Sequence, residues 1–304
     1  MKKSKIVWII IAVSLIVLGA LISTVSLAEM SFDFNNLNTQ KYISNEHIFA
    51  EDFTNIKIDV DTSNIEFVRS ENNDCMIVSI DTEKTRHIIT VENGTLMISL
   101  EDSRKWYDYI GVFTMSPSLT IHLPKDSYDL LNIEASTSDI VIQKDFIFGN
   151  VDIETDTGDI QLLSQVSDTL DITTDTGDVK IQDITAQNIT LETDTGETYL
   201  TNVNCNSLVS NGNTGDIKLT DVIAANDFNI TRSTGDIKLI ACDAGEILIT
   251  TDTGDVSGTL LTDKVFICKT DTGDIDVPKT TTGGRCEITT DTGDIEIIKI
   301  ETVK

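Results

Sequence analysis

The residues of this sequence that could most readily do chemistry form the motif Thr-Asp-Thr-Gly-Asp. Asp-Thr-Gly is the triplet that carries the catalytic aspartate of pepsin-like proteases, in which two carboxylates share one proton inside a cleft. The motif occurs five times, and three close variants bring the copies to eight. An active site needs one or two such loops, so the repetition indicates a structural element and argues against an aspartic protease.

The copies of the motif follow one another at a fixed interval of 19 or 20 residues. A constant period of this size is typical of stacked repeat architectures. Glycine can adopt the positive φ that a tight corner requires, so we predict the motif glycines to be structural turn residues. They are Gly158, Gly177, Gly196, Gly215, Gly235, Gly254, Gly273 and Gly293.

Strict alternation of apolar and polar residues flanks each of these glycines. Around Gly177, for example, the apolar positions are Leu170, Ile172, Val179 and Ile181. Such alternation predicts two short β-strands in each repeat. No segment after residue 50 has a convincing helical period, so we predict an all-β fold.

Two architectures fit this pattern. In a β-solenoid of 19–20-residue coils, each strand pairs with the equivalent strand of the next coil, about 4.8 Å away. In an antiparallel meander, each motif would be a hairpin tip. The fixed period favours the solenoid, because identical residues at identical offsets then lie on one another. We expect regular repeats over 141–304 and an irregular β cap region over 51–140. We also expect the charges of the last strand to protect the carboxyl-terminal edge of the solenoid from edge-to-edge aggregation.

The amino terminus predicts membrane attachment. Residues 1–5 form a basic tail, and 23 uncharged residues follow, Ile6 to Ala28. A helix of this length crosses a hydrocarbon core of about 30 Å, and the preceding lysines place the amino terminus in the cytoplasm. We therefore expect a transmembrane anchor over 6–28, a polar tether over 29–50 and an extracytoplasmic domain beyond it. A cleaved signal peptide is the alternative, since Ser26 and Ala28 suit a cleavage site.

The composition restricts the partners and cofactors that we expect. A formal net charge of −28 disfavours nucleic acid, because phosphate binding needs clustered Lys and Arg. The histidines His47, His87 and His122 are too far apart in sequence for a His-rich zinc site. Five cysteines without a C-x-x-C pair indicate isolated buried thiols. We expect no cofactor, with calcium as a weak candidate.

The calcium candidates are the aspartates of the exact motif copies. In a stack they form two columns of carboxylates, and repeated oxygen-rich turns can hold Ca²⁺. The competing interpretation is that each Asp caps the amides of its own turn and is otherwise solvated. The candidates are Asp156, Asp159, Asp175, Asp178, Asp252, Asp255, Asp271, Asp274, Asp291 and Asp294.

One aromatic segment interrupts the repeats. Residues 101–116 contain Trp106, Tyr107, Tyr109 and Phe113, which could form a contact patch for a partner. The alternative is that these aromatics pack inward as a cap of the solenoid.

Together these residues resemble a known family. The apolar amino-terminal segment, the run IHLPKD (121–126), the run TSDIVI (137–142) and the repeated TDTGDI units resemble the putative-adhesin β-strand-repeat family, a domain of unknown function on Gram-positive envelope proteins. They are also similar to membrane-anchored accessory proteins of envelope-stress operons. The resemblance implies an extracytoplasmic β-solenoid and no established enzymatic activity.

The sequence therefore predicts a non-enzymatic, membrane-anchored binding or scaffold protein. Its role would be adhesion or a task associated with envelope stress, and its partner an envelope protein or surface ligand that the sequence does not name. A passive structural spacer is the first alternative. A glycan-acting β-helix enzyme is the second, although it would need paired carboxylates in a groove with aromatics nearby.

Overall fold

A computed structural model describes residues 3–29, 41–109 and 117–299. It contains one α-helix, one short 3-10 helix (Trp106–Tyr109) and 23 strands. The elements are α1 (Lys3–Glu29), β1 (Tyr42–Phe49), β2 (Asn55–Thr62), β3 (Asn64–Arg69), β4 (Cys75–Thr82), β5 (Thr85–Glu92), β6 (Thr95–Asp102), β7 (Ser118–Leu123), β8 (Ser127–Thr137), β9 (Ile140–Ile142), β10 (Ile147–Thr157), β11 (Ile160–Leu162), β12 (Gln165–Val166), β13 (Thr169–Thr176), β14 (Val179–Thr185), β15 (Asn188–Thr195), β16 (Thr198–Thr214), β17 (Ile217–Thr234), β18 (Ile237–Thr253), β19 (Val256–Leu260), β20 (Lys264–Thr272), β21 (Ile275–Asp276), β22 (Gly284–Thr292) and β23 (Ile295–Lys299).

The chain divides into two compact units. One contains α1 and the segment of the 3-10 helix, and the other contains the β-structure. Helix α1 covers the residues predicted to form the anchor. Among the residues that the structure describes, no helix is both long and apolar enough to qualify as a membrane span. The anchor over 6–28 therefore stays a sequence-based prediction.

The β-unit is a solenoid, because equivalent strands of successive repeats pair in parallel and in register. Strand β13 lies between β10 and β15, so that Ile153, Ile172 and Leu191 stack on one another. An antiparallel meander would place each repeat's second half beside its first. The sequence-based choice of a solenoid is confirmed. We call each 19–20-residue turn of the solenoid a rung and name it by its motif glycine.

The core of the solenoid consists of columns of inward-facing apolar side chains. In the Gly177 rung, Leu170, Ile172, Val179 and Ile181 are all at most 1% exposed. Burial of each such side chain stabilises the fold by roughly 1.5–3 kcal/mol before ordering costs. Since each column continues through neighbouring rungs, most of this stabilisation arises between rungs.

Each central rung has a second corner that the sequence did not reveal. Six residues after the motif glycine, the backbone takes a left-handed conformation with φ between 53° and 58°. Three of the four residues at this position are Asp or Asn, which tolerate the left-handed region better than other non-glycine residues. The fourth is alanine. The residues are Asp183, Asn202, Asp221 and Ala241.

The amino-terminal end of the solenoid is covered by an excursion of the chain. Strands β2 and β3 form an ordinary rung, which pairs in parallel with β8 and β9. Between them and β8 the chain runs through β4 to β7. Strands β6 and β7 stack on this rung in parallel, and β5 and β4 pair with them in antiparallel fashion. The region 51–140 thus contains the β2–β3 rung, most of the β8–β9 rung and an antiparallel cover.

At the carboxyl-terminal end the rungs do not follow the order of the sequence. Strands β22 and β23 of the last repeat pair with β18 and β19 on one side and with β20 and β21 on the other. The Gly293 rung therefore lies between the Gly254 and Gly273 rungs. The expectation that the charged last strand protects the edge is wrong, because β23 is internal and the Gly273 rung is terminal.

The predicted tether also contains regular structure. Strand β1 (Tyr42–Phe49) falls inside the segment 29–50 and pairs with β4. The side chain of Asn45 donates a hydrogen bond of 2.7 Å to Asp81 Oδ2 on β4. Residues 30–40 lie outside the described part of the chain.

Candidate functional site

The motif glycines occupy positions that other residues cannot fill. All eight have φ between 133° and 154°. A Cβ atom on Gly177 would also collide with the carbonyl oxygen of Gly158 in the preceding rung. The backbones of successive rungs therefore approach closely at this corner. The prediction that these glycines are structural turn residues agrees with this geometry.

The aspartate that follows each glycine joins one rung to the next. The backbone N–H of Asp178 donates to Asp159 Oδ1 at 2.9 Å, and that of Glu197 donates to Asp178 Oδ1 at 2.8 Å. The same bond links Asp255 to Asp236 and Asp294 to Asp255. We call this series the aspartate ladder. These carboxylates do not cap their own turns, as the sequence suggested, but cap the corresponding amide of a neighbouring rung.

The hydrogen bonds of the aspartate ladder connect the rungs in the same unusual order. The N–H of Asp294 donates to Asp255, and the N–H of Asp274 donates to Asp294, both at 2.8 Å. The ladder is interrupted where Glu197 replaces the aspartate, since no bond from the Asp216 amide to that longer side chain is present among the described residues.

The other calcium candidates precede the glycine by two positions and point into solvent. Asp156, Asp175, Asp252 and Asp291 are exposed, and Asp271 forms an ion pair with Lys269 at 3.0 Å. In the described part of the chain, no group of three or more His, Cys, Asp or Glu side chains could hold a metal ion. The structure therefore brings together no calcium site from these residues, and the cation hypothesis stays a prediction.

A buried threonine precedes the glycine by three positions in most rungs, and one rung replaces it with arginine. Arg232 is 1% exposed. Its guanidinium donates to the hydroxyls of Thr198 and Ser210 at 3.2 and 3.3 Å and to the carbonyl of Thr231 at 3.1 Å. Burial lowers its pKa to about 10. Gly212 in the preceding rung makes room, because a Cβ there would lie 2.6 Å from the guanidinium.

The outer face after the motif glycine carries parallel stripes of opposite charge. Lys180, Tyr199, Lys218 and Lys238 stack on neighbouring rungs and project from the solenoid. The aspartate ladder runs beside them, two residues earlier in each rung. An open groove of about 520 Å³ follows these columns across the Gly196 to Gly293 rungs. We call this surface the striped face. Sequence reasoning missed it, although the lysines share one offset from the motif glycine.

A second polar cluster lies in the amino-terminal cover. Ser63 Oγ is 2.9 Å from His87 Nε2, and His87 Nδ1 is 2.5 Å from Asp81 Oδ1. These are the connections of a serine–histidine–aspartate triad. Ser63 is fully buried, however, so its hydroxyl is not open to a substrate. Ser63 occupies the glycine position of a degenerate motif, and this was the one available signal for the cluster.

The electrostatics of this cluster favour a neutral imidazole. Burial lowers the pKa of His87, and the hydrogen bond and charge of Asp81 oppose that shift only in part. His47 on β1 faces the same cluster and lowers the pKa further. Asp81 also accepts hydrogen bonds from Asn45 and Ser79, so the cluster joins β1 to the cover.

The aromatic segment is exposed where it is described. Trp106 and Tyr107 are 78% and 49% exposed, and their rings meet edge to face with centroids 5.8 Å apart. Only the backbone of Tyr109 is described, and Phe113 lies outside the described residues. The contact patch and the inward-packed cap therefore both stay predictions.

The cysteines are free thiols, as the sequence suggested. Four are buried and Cys268 is half-buried. Burial raises the pKa of Cys75 and Cys286 to about 12, so both are protonated and unreactive at neutral pH.

A family model matches most of the sequence, and the extent of this match identifies the family. Toastrack DUF4097 matches residues 53–241 and, in a second copy, 201–303. The chain belongs to the Toastrack DUF4097 family. The two overlapping matches together cover all the TDTGD corners described above. No curated protein matches the sequence.

One solved structure shows the same fold at low sequence identity, and two others are similar to a lesser degree. A protein from Parabacteroides distasonis, described as a putative lipid binding protein, has a TM-score of 0.53 and 14% identity, over 84% of this chain and 96% of its own. A putative adhesin from Bacteroides fragilis has a TM-score of 0.46 and 16% identity, covering 85% and 97%. A putative adhesin from Parabacteroides merdae has a TM-score of 0.49 and 13% identity, covering 86% and 98%.

Proposed function

We propose that this chain is a membrane-attached, extracytoplasmic scaffold that binds an extended component of the cell envelope through its striped face and performs no catalysis. The observation that carries this proposal is that Lys180, Lys218 and Lys238 share one column, with Tyr199 between them, beside the aspartate ladder over four successive rungs. Such stripes repeat every 4.8 Å or so, a spacing that an extended chain can follow more readily than a compact small molecule.

The form of the groove supports binding of a large partner. Ligand pockets for small molecules are usually concave and mostly apolar. The groove of the striped face is open, and charged side chains such as Lys218, Asp236 and Lys238 line it. Opposite charges at fixed spacing give specificity and register more than raw affinity. A weak, extended and oriented contact suits an adhesin or scaffold.

The membrane attachment is argued from the sequence. The 23 uncharged residues from Ile6 to Ala28 are long enough to span a bilayer, and the lysines before them favour a cytoplasmic amino terminus. The descriptions of related structures as putative adhesins, and of one as a putative lipid binding protein, support a binding role at the envelope.

Charge reversal on the striped face tests the binding role. We expect the triple variant Lys180→Glu, Lys218→Glu, Lys238→Glu to lose retention on isolated cell-envelope fractions, because a column of like charges then replaces the stripes. The control is Lys144→Glu, an exposed lysine in the turn between β9 and β10. Equal retention of the wild-type and triple-variant chains would favour a passive spacer.

Fractionation tests the membrane attachment separately. We expect the full-length chain to remain with membranes after alkaline carbonate extraction, and a protease added outside intact cells to remove the β-unit. Recovery of the chain at a mass shortened by the first 28 residues would indicate a cleaved signal peptide instead. Protection of the β-unit from external protease would contradict the extracytoplasmic location.

A further inference from the structure

The carboxyl-terminal end of the solenoid presents an uncovered rung. This end rung consists of β20 and β21. Among the described residues, β20 pairs along its length only with β22, and β21 only with β23. One edge of each strand therefore has no neighbouring strand in the part of the chain that the structure describes.

The core is open at this rung. Phe266 and Cys268 face inward but are only half-buried, and Ile275 is 44% exposed. The corresponding residues of an internal rung, Phe228 and Ile230, are at most 1% exposed. The end rung thus offers to solvent the apolar columns that every internal rung covers.

Among the described residues, two backbone N–H groups of the end rung also lack the acceptor that the equivalent groups of internal rungs have. In internal rungs the motif glycine and the residue two positions later donate to the next rung, as Gly177 does to Thr195 and Val179 to Glu197, at 3.0 and 2.9 Å. The equivalent amides, those of Gly273 and Ile275, have no such acceptor within the described ranges. Unpaired strand edges of this kind are templates for pairing with another chain.

The opposite end of the solenoid is covered by antiparallel strands. Its outermost parallel strands, β6 and β7, pair with β5 and β4. Their inward residues Leu96, Ile98 and Ile121 are at most 1% exposed. The apolar columns of the rungs are therefore covered at this end of the described chain, although the outer edge of β5 has no strand partner there.

We propose that the end rung is a dimer interface at which a second copy of this chain stacks its own end rung. Rungs of this solenoid stack on partners that are not their sequence neighbours, since the Gly293 rung fits in register on the Gly254 rung. The exposed face of the end rung has the shape of an internal rung-to-rung contact. A rung with the same columns of inward-facing apolar side chains therefore fits it best. A contact between two copies of the same end rung is isologous, places the two β20 strands antiparallel, and stops at two copies.

The charge of the end rung permits this contact. Residues 263–279 contain four Asp and three Lys, which sum to −1 and are close to balance. Repulsion between the end rungs of two copies is therefore small.

Sedimentation of the full-length chain in density-matched detergent tests the proposal. We expect the wild type to be dimeric and the variants Ile275→Lys and Ile267→Lys to be monomeric, because each places a charge in the contact. Ile267 is 49% exposed, so its replacement leaves the fold intact even where Ile275→Lys disturbs it. The matched control is Ile223→Lys, a residue of β17 that is 42% exposed and far from the end rung.

Each outcome bears on the proposal. A dimer that both end-rung variants abolish and the control retains supports it. A monomeric wild type, a dimer that survives both variants, or a dimer that the Ile223 control also loses would overturn it. Assemblies larger than two would also overturn it, because an isologous contact between end rungs closes at two copies. The proposal does not depend on membrane attachment or on the striped face.

Discussion

Single residues at the motif corner perform separate tasks that the sequence shows as one pattern. Glycine allows the positive φ and the close approach of the preceding rung's carbonyl. The next residue, aspartate, accepts the amide of the neighbouring rung. The first task depends on the absence of a side chain and the second on a short acceptor, so substitutions should separate them.

Replacement of Gly177 by alanine tests the first task. We expect a loss of unfolding free energy of about 3 kcal/mol, since the backbone strain adds to a collision with the carbonyl of Gly158. Gly94 is the matched control, because its φ is also positive but nothing lies within 4 Å of an added Cβ. Gly94→Ala should cost about 1 kcal/mol. Equal losses of unfolding free energy for the two variants, measured by urea unfolding, would contradict the close approach of the Gly158 carbonyl to Gly177.

Two replacements of Asp178 test the second task. Asn keeps an acceptor oxygen and removes repulsion within the column, whereas Ala removes the acceptor for the Glu197 amide. We expect Asp178→Asn to keep or raise the urea midpoint and Asp178→Ala to lower it. If the Asn variant falls as far as the Ala variant, the charge and not the hydrogen bond matters at this position.

His87 predicts a pH dependence of stability. Its pKa is lowered in the folded chain, first by burial, with Asp81 opposing and His47 adding to the shift. Below the unfolded pKa of about 6.5, the unfolded chain therefore binds more protons than the folded chain. This group's contribution is fully present above that pH and is lost as pH falls below it toward the folded pKa.

Urea unfolding at several pH values measures this contribution. We expect His87→Gln to be less stable than wild type near neutral pH, because Ser63 and Asp81 lose a partner, but to lose less stability on acidification. His122→Gln, at a half-buried histidine of β7, is the matched control for the replacement of a histidine. An unchanged slope in His87→Gln would assign the pH dependence to other groups.

At the scale of the rung, Arg232 marks a departure from the repeat. A buried cation with neutral partners is costly, and an apolar side chain of similar size often serves as well. We expect Arg232→Met to change the unfolding free energy by less than about 1 kcal/mol or to raise it. Arg232→Ala should cost about 3 kcal/mol, because it also leaves a cavity. A larger loss in the Met variant would show that the guanidinium bonds themselves hold these rungs.

Sequence reasoning reached the elements but not all their connections. The period and the alternation were sufficient for the solenoid, the corner glycines and the inward columns. The left-handed residue at Asp183 and its equivalents was missed because Asp and Asn are ordinary in loops. The Ser63–His87–Asp81 cluster joins the turn between β2 and β3 to β4 and β5, and the sequence signalled only Ser63, at the glycine position of a degenerate motif.

For the whole molecule, the rung order is the feature that no periodicity could predict. Identical repeats have nearly equivalent faces, so the Gly293 rung can stack in more than one place. The structure places it inside the stack and leaves the Gly273 rung at the end. This arrangement removes the chain's last repeat from the edge and creates the open end at which we expect a second copy.

Disulfide trapping tests the parallel, in-register stack and its order most directly. Ser257 pairs with Glu296, and Asp276 pairs with Glu296 from the other side, so Ser257 and Asp276 are two rungs apart. Bridging requires Cα atoms within about 7 Å, which adjacent rungs satisfy and a separation of two rungs, about 9.6 Å, does not. We expect Ser257→Cys with Glu296→Cys to cross-link under mild oxidation, and Ser257→Cys with Asp276→Cys to remain reduced. The reverse result would contradict the account, because it would place the rungs in sequence order.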